Sequence, residues 1–258
     1  MGRRHVGRRQ QRSPWWADLR DEELLDLRFC DLELRIEGSP VEARLAKLRA
    51  ELERKGLVCF RPYAWLSTSW FTPHGSSGFA VPFYLAHARL VRLERWQIGD
   101  AEGSTREICM RLMRHEAAHA IDNAYRLHRR QSWRDTFGSF SKPYRATYKP
   151  RPASKSFVVN LDNWYAQSHP GEDWAETFSI WLRPGSRWRS RYRGWPALRK
   201  LEYVDALMKE IGDQRPAVTT RDHVDAVSGL RSTLRQHYAR KRSRYQSVRS
   251  RPSLEYLR

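Results

Sequence analysis

The chain of 258 residues is 40% hydrophobic and contains 11 Trp, 11 Tyr and 9 Phe, which is enough apolar surface for a buried core. Its formal net charge of +19 lies mainly at the ends, because residues 1–12 carry +5, residues 183–258 carry +12 and residues 13–182 carry only +2. No run of 18 apolar residues occurs, which excludes a membrane-spanning helix. We therefore predict a nearly neutral globular body between basic ends.

The N-terminus and the cysteines indicate the compartment. The first residues lack the apolar block of a signal peptide, so we expect a cytoplasmic protein. Cys30, Cys59 and Cys109 are odd in number and show no C-x-x-C spacing. We therefore expect reduced, buried cysteines, as is usual in a reducing compartment.

The first half of the body alternates between helix and strand signals. A capping-box pattern that begins at Ser39, with proline at the first helical position, predicts a helix that runs to about Lys55. The stretch Leu57–Leu66 is rich in Val, Phe, Tyr and Trp and is predicted to be a strand. After a turn at residues 73–78, Phe79–Trp96 alternates enough to predict one long or bent strand, with Pro82 at its end or at a bulge.

A longer helix is predicted next, from about Thr105 to about Leu127, after a capping-box pattern at Ser104. It contains the H-E-x-x-H motif formed by His115, Glu116 and His119. Two histidines at this spacing lie on one face of a helix, so both imidazoles can reach one zinc ion, with the glutamate beside the open coordination position.

Such a site needs a third protein ligand, and two candidates can be excluded by position. The positions that hold glycine and a third histidine or aspartate in metzincins are Asp122 and Tyr125 here, which excludes that class. His128 follows His119 by nine residues and would lie on the opposite face of the helix. We interpret His128 as a surface histidine.

The better candidates lie on a second predicted helix, which begins at Pro170. Glu172 and Glu176 lie one turn apart on the same face of this helix. Like charges at that spacing destabilise an isolated helix, so a partly apolar helix that carries them suggests a bound cation. The alternative is a solvated acidic face.

The two motifs together carry a family resemblance. With H-E-A-A-H-A-I-D and, about fifty residues later, Y-A-Q-S-H-P-G-E-D-W-A-E-T-F, the chain resembles the putative zinc-binding metallopeptidases, which are gluzincin-type zincins. A more distant resemblance is to the catalytic domain of anthrax-toxin lethal factor. The resemblance implies an α+β, zincin-like fold with a small sheet, an H-E-x-x-H helix and a second, glutamate-bearing helix. It also implies one zinc ion held by His115, His119 and Glu172, with Glu176 orienting a ligating histidine.

The same resemblance implies a peptidase in which Glu116 is the general base and Tyr165 stabilises an oxyanion. Asp122 and His169 match the pattern too and are expected beside the ligands, with no role assigned. In a zincin an extended peptide adds to an edge strand by main-chain hydrogen bonds, and Phe79–Trp96 is our candidate for that strand. Neither the substrate nor the oligomeric state is indicated by the sequence.

Two basic segments have open interpretations. Residues 126–155 carry a net charge of +8 and could either line the cleft or form a solvated loop. In residues 183–196 arginine and aromatic residues interleave, and we favour packed aromatic and solvated arginine side chains over phosphate binding with base stacking. Pro196 begins a predicted helix, and a last helix is predicted from about Arg221 to Arg242.

The predicted organisation is a disordered basic tail over residues 1–12 and a zincin-like catalytic domain over 13–215. Residues 216–258 would form a C-terminal helix and basic tail that pack on the same domain or trail from it. Two functions remain open. The first is a zinc-dependent peptidase, and the second is a nucleic-acid-associated binding protein that uses an inactive or regulated zincin fold as a scaffold, for which the charge of the ends is the only support.

Overall fold

The computed structural model describes residues 13–144 and 148–249, and the predicted basic tail over residues 1–12 lies outside them. Within the described residues the chain forms nine α-helices and two β-strands. Their order is α1 (Asp21–Leu25), α2 (Pro40–Arg54), β1 (Tyr63–Ser67), β2 (Gly78–Pro82), α3 (Ala88–Ile98), α4 (Arg106–Tyr125), α5 (Gln131–Phe137), α6 (Pro170–Leu182), α7 (Trp188–Arg191), α8 (Ala197–Ile211) and α9 (Leu234–Arg249). A mainly helical α+β architecture with a small sheet is therefore confirmed.

The main hydrophobic cluster reaches from Trp16 to Tyr238, and α4 packs against α6 within it. A smaller cluster of Tyr63, Trp65 and Ala80 lies on the sheet. Every residue of α6 from Gly171 to Leu182 is buried. A helix without a solvated face must provide partners for its carboxylates, because an unpaired buried charge is costly. The alternative interpretation of Glu172 and Glu176 as a solvated acidic face is therefore wrong.

The sheet is built on β2. It pairs with β1 in parallel, from Tyr63 opposite Gly78 to Ser67 opposite Pro82. On its other side, the amide of Ala80 donates to the carbonyl of Phe71 at 2.8 Å in an antiparallel bridge. The strand predicted over Leu57–Leu66 thus exists but begins later, and β2 has neighbours on both sides.

The strand predicted over Phe79–Trp96 is wrong beyond Pro82, where β2 ends. The chain continues through a short 3-10 helix into α3, whose N-terminus is capped by the His87 side chain. Leu90 and Leu93 of α3 are fully buried at a spacing that suits a helix and not an alternating strand. Because Phe71 pairs with β2, the edge of the sheet on this side lies at the residues around Phe71 and not at the predicted strand Phe79–Trp96.

The last helix begins at Leu234, and the prediction of a start near Arg221 is wrong. The backbone over residues 220–225 instead accepts hydrogen bonds from side chains of β1. The Tyr63 hydroxyl, the Trp65 indole and the Ser67 hydroxyl donate to carbonyls in this segment. Backbone groups that are satisfied in this way do not need a helix, which explains why this segment is not helical.

Three smaller predictions are also settled. Cys30, Cys59 and Cys109 are free thiols, as predicted, but only Cys109 is fully buried. None of the helices in the described part of the chain combines the length and the apolar composition that a membrane span requires. In the loop after α6, Trp188 is buried while Arg187 is exposed, which agrees with packed aromatic and solvated arginine side chains.

A buried ion pair joins α2 to α4. Arg114 donates through Nε and Nη2 to the Glu51 carboxylate at 2.7 and 2.9 Å. Since removing one partner leaves an uncompensated buried charge, we expect Arg114→Met to lower the free energy of unfolding by about 3–5 kcal/mol. The double variant Glu51→Met/Arg114→Met should recover most of that loss. Denaturant titration followed by tryptophan fluorescence measures both, and a loss below about 1 kcal/mol in the single variant would contradict the prediction.

Candidate metal centre

Two helices carry the predicted ligands. Helix α4 begins after Thr105, whose hydroxyl accepts a hydrogen bond from the amide of Ile108 at 3.2 Å. The predicted helix is thus confirmed, although its cap is Thr105 and not Ser104. Helix α6 begins at Pro170, as predicted. The Trp174 indole donates to the carbonyl of Ala118 at 2.8 Å, which fixes α6 against the motif helix.

His115, His119 and Glu172 converge where the two helices meet. Nε2 of His115 lies 3.0 Å from Oε2 of Glu172, and Nε2 of His119 lies 3.3 Å from the same oxygen. The two Nε2 atoms are 3.2 Å apart, and all three donor atoms lie within 4.8 Å of one another. Two imidazole nitrogens and one carboxylate oxygen are a ligand set typical of zinc hydrolases, so these residues fit a zinc ion.

Glu176 lies behind this group and orients His115. Its carboxylate is 2.9 Å from Nδ1 of His115, so Nδ1 can donate while Nε2 faces the other ligands. The same carboxylate accepts from the side-chain amide of Asn160 at 2.9 Å and from the backbone amide of Leu161 at 2.7 Å. Glu176 is fully buried, and these three donors compensate its charge.

The ionisable groups of the centre are strongly coupled. Burial opposes protonation of His115, but its hydrogen bonds to Glu172 and Glu176 outweigh burial and raise the pKa of its imidazole to about 10. Burial would likewise raise the pKa of Glu172, but His119 and His115 hold that pKa well below its usual range. The imidazoles and carboxylates thus stabilise each other's charged forms, and the Glu172 carboxylate stays ionised.

Glu116 lies between the two histidines on α4 and is 7% exposed. Its Oε2 accepts a hydrogen bond from the Thr72 hydroxyl at 2.9 Å. Thr72 follows Phe71, the residue that pairs with β2, so the rim of the sheet reaches the motif helix at this point. A nearby turn is fixed to α4 as well, because the Asn123 side chain donates to the carbonyls of Pro73 and Ser76.

Tyr165 lies next to His115, with ring centroids 5.7 Å apart. It follows two residues with left-handed backbone conformations, Asn163 at φ 61° and Trp164 at φ 53°. Such conformations cost about 1 kcal/mol or more in a residue other than glycine. The chain is therefore held in an unfavourable path where it presents Tyr165 beside the ligands.

The remaining predicted residues have other partners. Oδ1 of Asp122 accepts from the backbone amide of His128 at 2.7 Å, and its carboxylate contacts the imidazole of the same residue at 3.1 Å. His128 is therefore not a surface histidine, because its side chain is only 12% exposed. His169 caps α6 by accepting from the Gly171 amide, and its Nε2 donates to the carbonyl of Lys142.

Three residues at the centre could not be identified from the sequence. Thr72 contacts Glu116, Asn160 contacts Glu176, and the Tyr144 hydroxyl donates to Oε1 of Glu172 at 2.9 Å. The ring of Tyr144 also stacks on His169 at a centroid distance of 3.9 Å. None of these residues belongs to a motif, and each is brought to the site by tertiary structure alone.

A comparison with known families gives the class of this site. Residues 104–184 match the family model described as putative zinc-binding metallo-peptidase. This segment, which contains both helices of the centre, is therefore similar to that family, and the predicted resemblance is confirmed. No curated protein and no solved structure matches the chain. The more distant resemblance to lethal factor and the zincin-like details of the fold stay predictions.

Proposed function

We propose that this protein is a zinc-dependent peptidase that holds one zinc ion with His115, His119 and Glu172. The observation that carries the proposal is the placement of Glu116. Its carboxylate is 7% exposed, lies on the same helix as two of the proposed ligands and is held by the Thr72 hydroxyl at 2.9 Å. The match to a metallopeptidase family over the same residues supports this function.

When bound, a zinc ion would polarise the substrate carbonyl and lower the pKa of a coordinated water. Glu116 accepts a proton from the attacking water and delivers it to the leaving amine. Tyr165 donates a hydrogen bond to the oxyanion of the tetrahedral intermediate. Glu176 holds His115 in the tautomer that leaves Nε2 free for the metal, and Tyr144 holds the carboxylate of Glu172.

A peptide-library digest tests the proposal. The full chain is loaded with zinc, its metal content is measured, and the digest is analysed by mass spectrometry. We expect cleavage that a chelator abolishes and that zinc restores. Zinc-loaded protein that cuts no peptide and no unfolded protein would overturn the proposal.

Tyr165 and Tyr144 should affect different quantities, the first turnover and the second zinc affinity. We expect Tyr165→Phe to keep its zinc and to lower turnover about a hundredfold, the usual scale for one oxyanion donor. We expect Tyr144→Phe to weaken zinc affinity about 10- to 100-fold, because its hydroxyl contacts the ligand Glu172. Zinc titration and steady-state kinetics at saturating zinc measure both effects. If Tyr144→Phe alone lowers turnover at saturating zinc, the oxyanion donor is Tyr144 and the assignment of Tyr165 is wrong.

A further inference from the structure

A second cavity, separate from the metal centre, lies at the opposite end of α6. Its volume is about 510 Å³, and its lining includes Lys55 at the end of α2 and the loop that follows α6. Glu172 and Leu182 are separated along α6 by about 15 Å of helix rise. The cavity therefore does not overlap the residues of the proposed peptidase site, and we call it the basic pocket.

The basic pocket is lined by side chains of one charge sign. Its cationic members are Lys55, Arg183, Arg187, Arg189 and Arg193. No acidic residue lines it, and the segment 183–193 contains five arginines and no acidic residue. Like charges gathered around one cavity repel each other, so an anion bound there would relieve an unfavourable arrangement.

Most of these cations lack a carboxylate partner. Arg189 is compensated, because it donates to Asp205 at 2.8 Å, and Arg183 has only a distant contact of 3.8 Å with the exposed Glu107. Within the described part of the chain, Lys55, Arg187 and Arg193 form no ion pair. Their charges are therefore available to a ligand.

Lys55 is the most informative member of the basic pocket because it is half-buried. Its ammonium group lies 4.6 Å from the ring centroid of Trp181, over the face of the indole. Burial lowers the pKa of Lys55, and Arg189 and Lys209 add to the effect while Asp205 opposes it. A partly desolvated cation in a cavity interacts with an anion more strongly than an exposed one does.

The arginines suit a ligand with repeated anionic groups. A planar guanidinium group matches two oxygens of a phosphate or of a carboxylate, and a nucleic-acid backbone presents phosphates at close, regular spacing. The aromatic residue of the basic pocket cannot stack on bases, because Trp188 is buried and the Arg189 guanidinium covers its ring at 4.0 Å. The pocket thus offers charged groups to a backbone and no aromatic platform to the bases.

We propose that the basic pocket binds the phosphodiester backbone of nucleic acid without sequence preference. Lys55, Arg187 and Arg193 supply the phosphate contacts, and the five arginines of residues 183–193 supply the positive field. This site is independent of the proposed peptidase activity.

The test measures oligonucleotide binding to the full-length protein by fluorescence anisotropy. The buffer contains a chelator, so that no metal ion at the metal centre can bind phosphate. The variant Arg187→Gln/Arg193→Gln is compared with Arg35→Gln/Arg92→Gln, which removes the same charge from exposed positions outside the pocket. We expect the pocket variant to lose about tenfold or more in affinity, equally for oligonucleotides of different sequence. For this variant, the slope of log affinity against log salt concentration should become shallower by about one unit for each lost phosphate contact.

The control variant should stay within about twofold of wild type, since general charge has a smaller effect than a phosphate contact. Equal losses in the two variants would overturn the proposal, because binding would then come from overall charge. Acidic peptides and anionic lipid vesicles are titrated in parallel. If the pocket variant loses affinity for acidic peptides or for vesicles but not for oligonucleotides, the assignment to nucleic acid is overturned.

Discussion

Replacement of Glu116 by glutamine is expected to abolish most peptide hydrolysis while zinc binding and the fold persist. The amide keeps the shape of the side chain and can still contact Thr72, but it cannot accept a proton from the attacking water. The loss should reach several orders of magnitude, up to about 10⁴-fold for a general base. Turnover of a peptide that the wild type cuts, measured with equal zinc content, gives the result.

Glu107→Gln is the matched control for this variant. Glu107 lies on the same helix, but its side chain is 72% exposed, and the substitution makes the same chemical change away from the site. Its turnover should equal that of wild type. Near-wild-type turnover in Glu116→Gln would show that water activation by this residue is wrong, whereas equal losses in both variants would indicate a general effect on α4.

The two glutamates of α6 are expected to differ strongly in their effect on zinc. Removing Glu172 deletes one of the three proposed ligands, so Glu172→Ala should lose nearly all zinc at micromolar concentrations. Glu176→Ala removes only the group that orients His115, and its zinc affinity should fall about 10- to 100-fold. Isothermal titration with zinc and metal analysis after dialysis measure both.

Asp173→Asn serves as the control on the same helix. Asp173 is buried like its neighbour, but its carboxylate accepts from Lys200 at 2.6 Å and does not contact the histidines. The variant Asp173→Asn should bind zinc with the affinity of the wild type. If Glu176→Ala loses zinc and Glu172→Ala keeps it, the ligand and the orienting carboxylate have been assigned in reverse.

The helices of the centre could be predicted because their signals are local. A proline at the first turn of α6 and the spacing of histidines on α4 depend only on helix geometry, and both survive in the structure. The spacing of Glu172 and Glu176 also predicted two carboxylates on one face. What these carboxylates contact on their other sides depends on the packing of distant segments.

The rest of the fold was decided by tertiary contacts. In α3, Glu94 is buried and pairs with Lys241 of α9, a partner that no local pattern could indicate. Residues 220–225 are not helical because side chains of β1 hold their carbonyls, which overrides the helical spacing of Val224 and Val227. Thr72 and Tyr144 reach the metal centre in the same way, from segments without a recognisable motif.

The carboxylate of Glu176 connects the metal centre to a neighbouring chain segment. This carboxylate is shared between the imidazole of His115 and the chain at Asn160 and Leu161, which leads into the strained turn before Tyr165. Thermodynamic linkage makes any coupling through this shared carboxylate reciprocal. If ordering of residues 160–167 by a bound peptide strengthens the hold of Glu176 on His115, a well-held His115 lowers the free-energy cost of ordering that segment by the same amount.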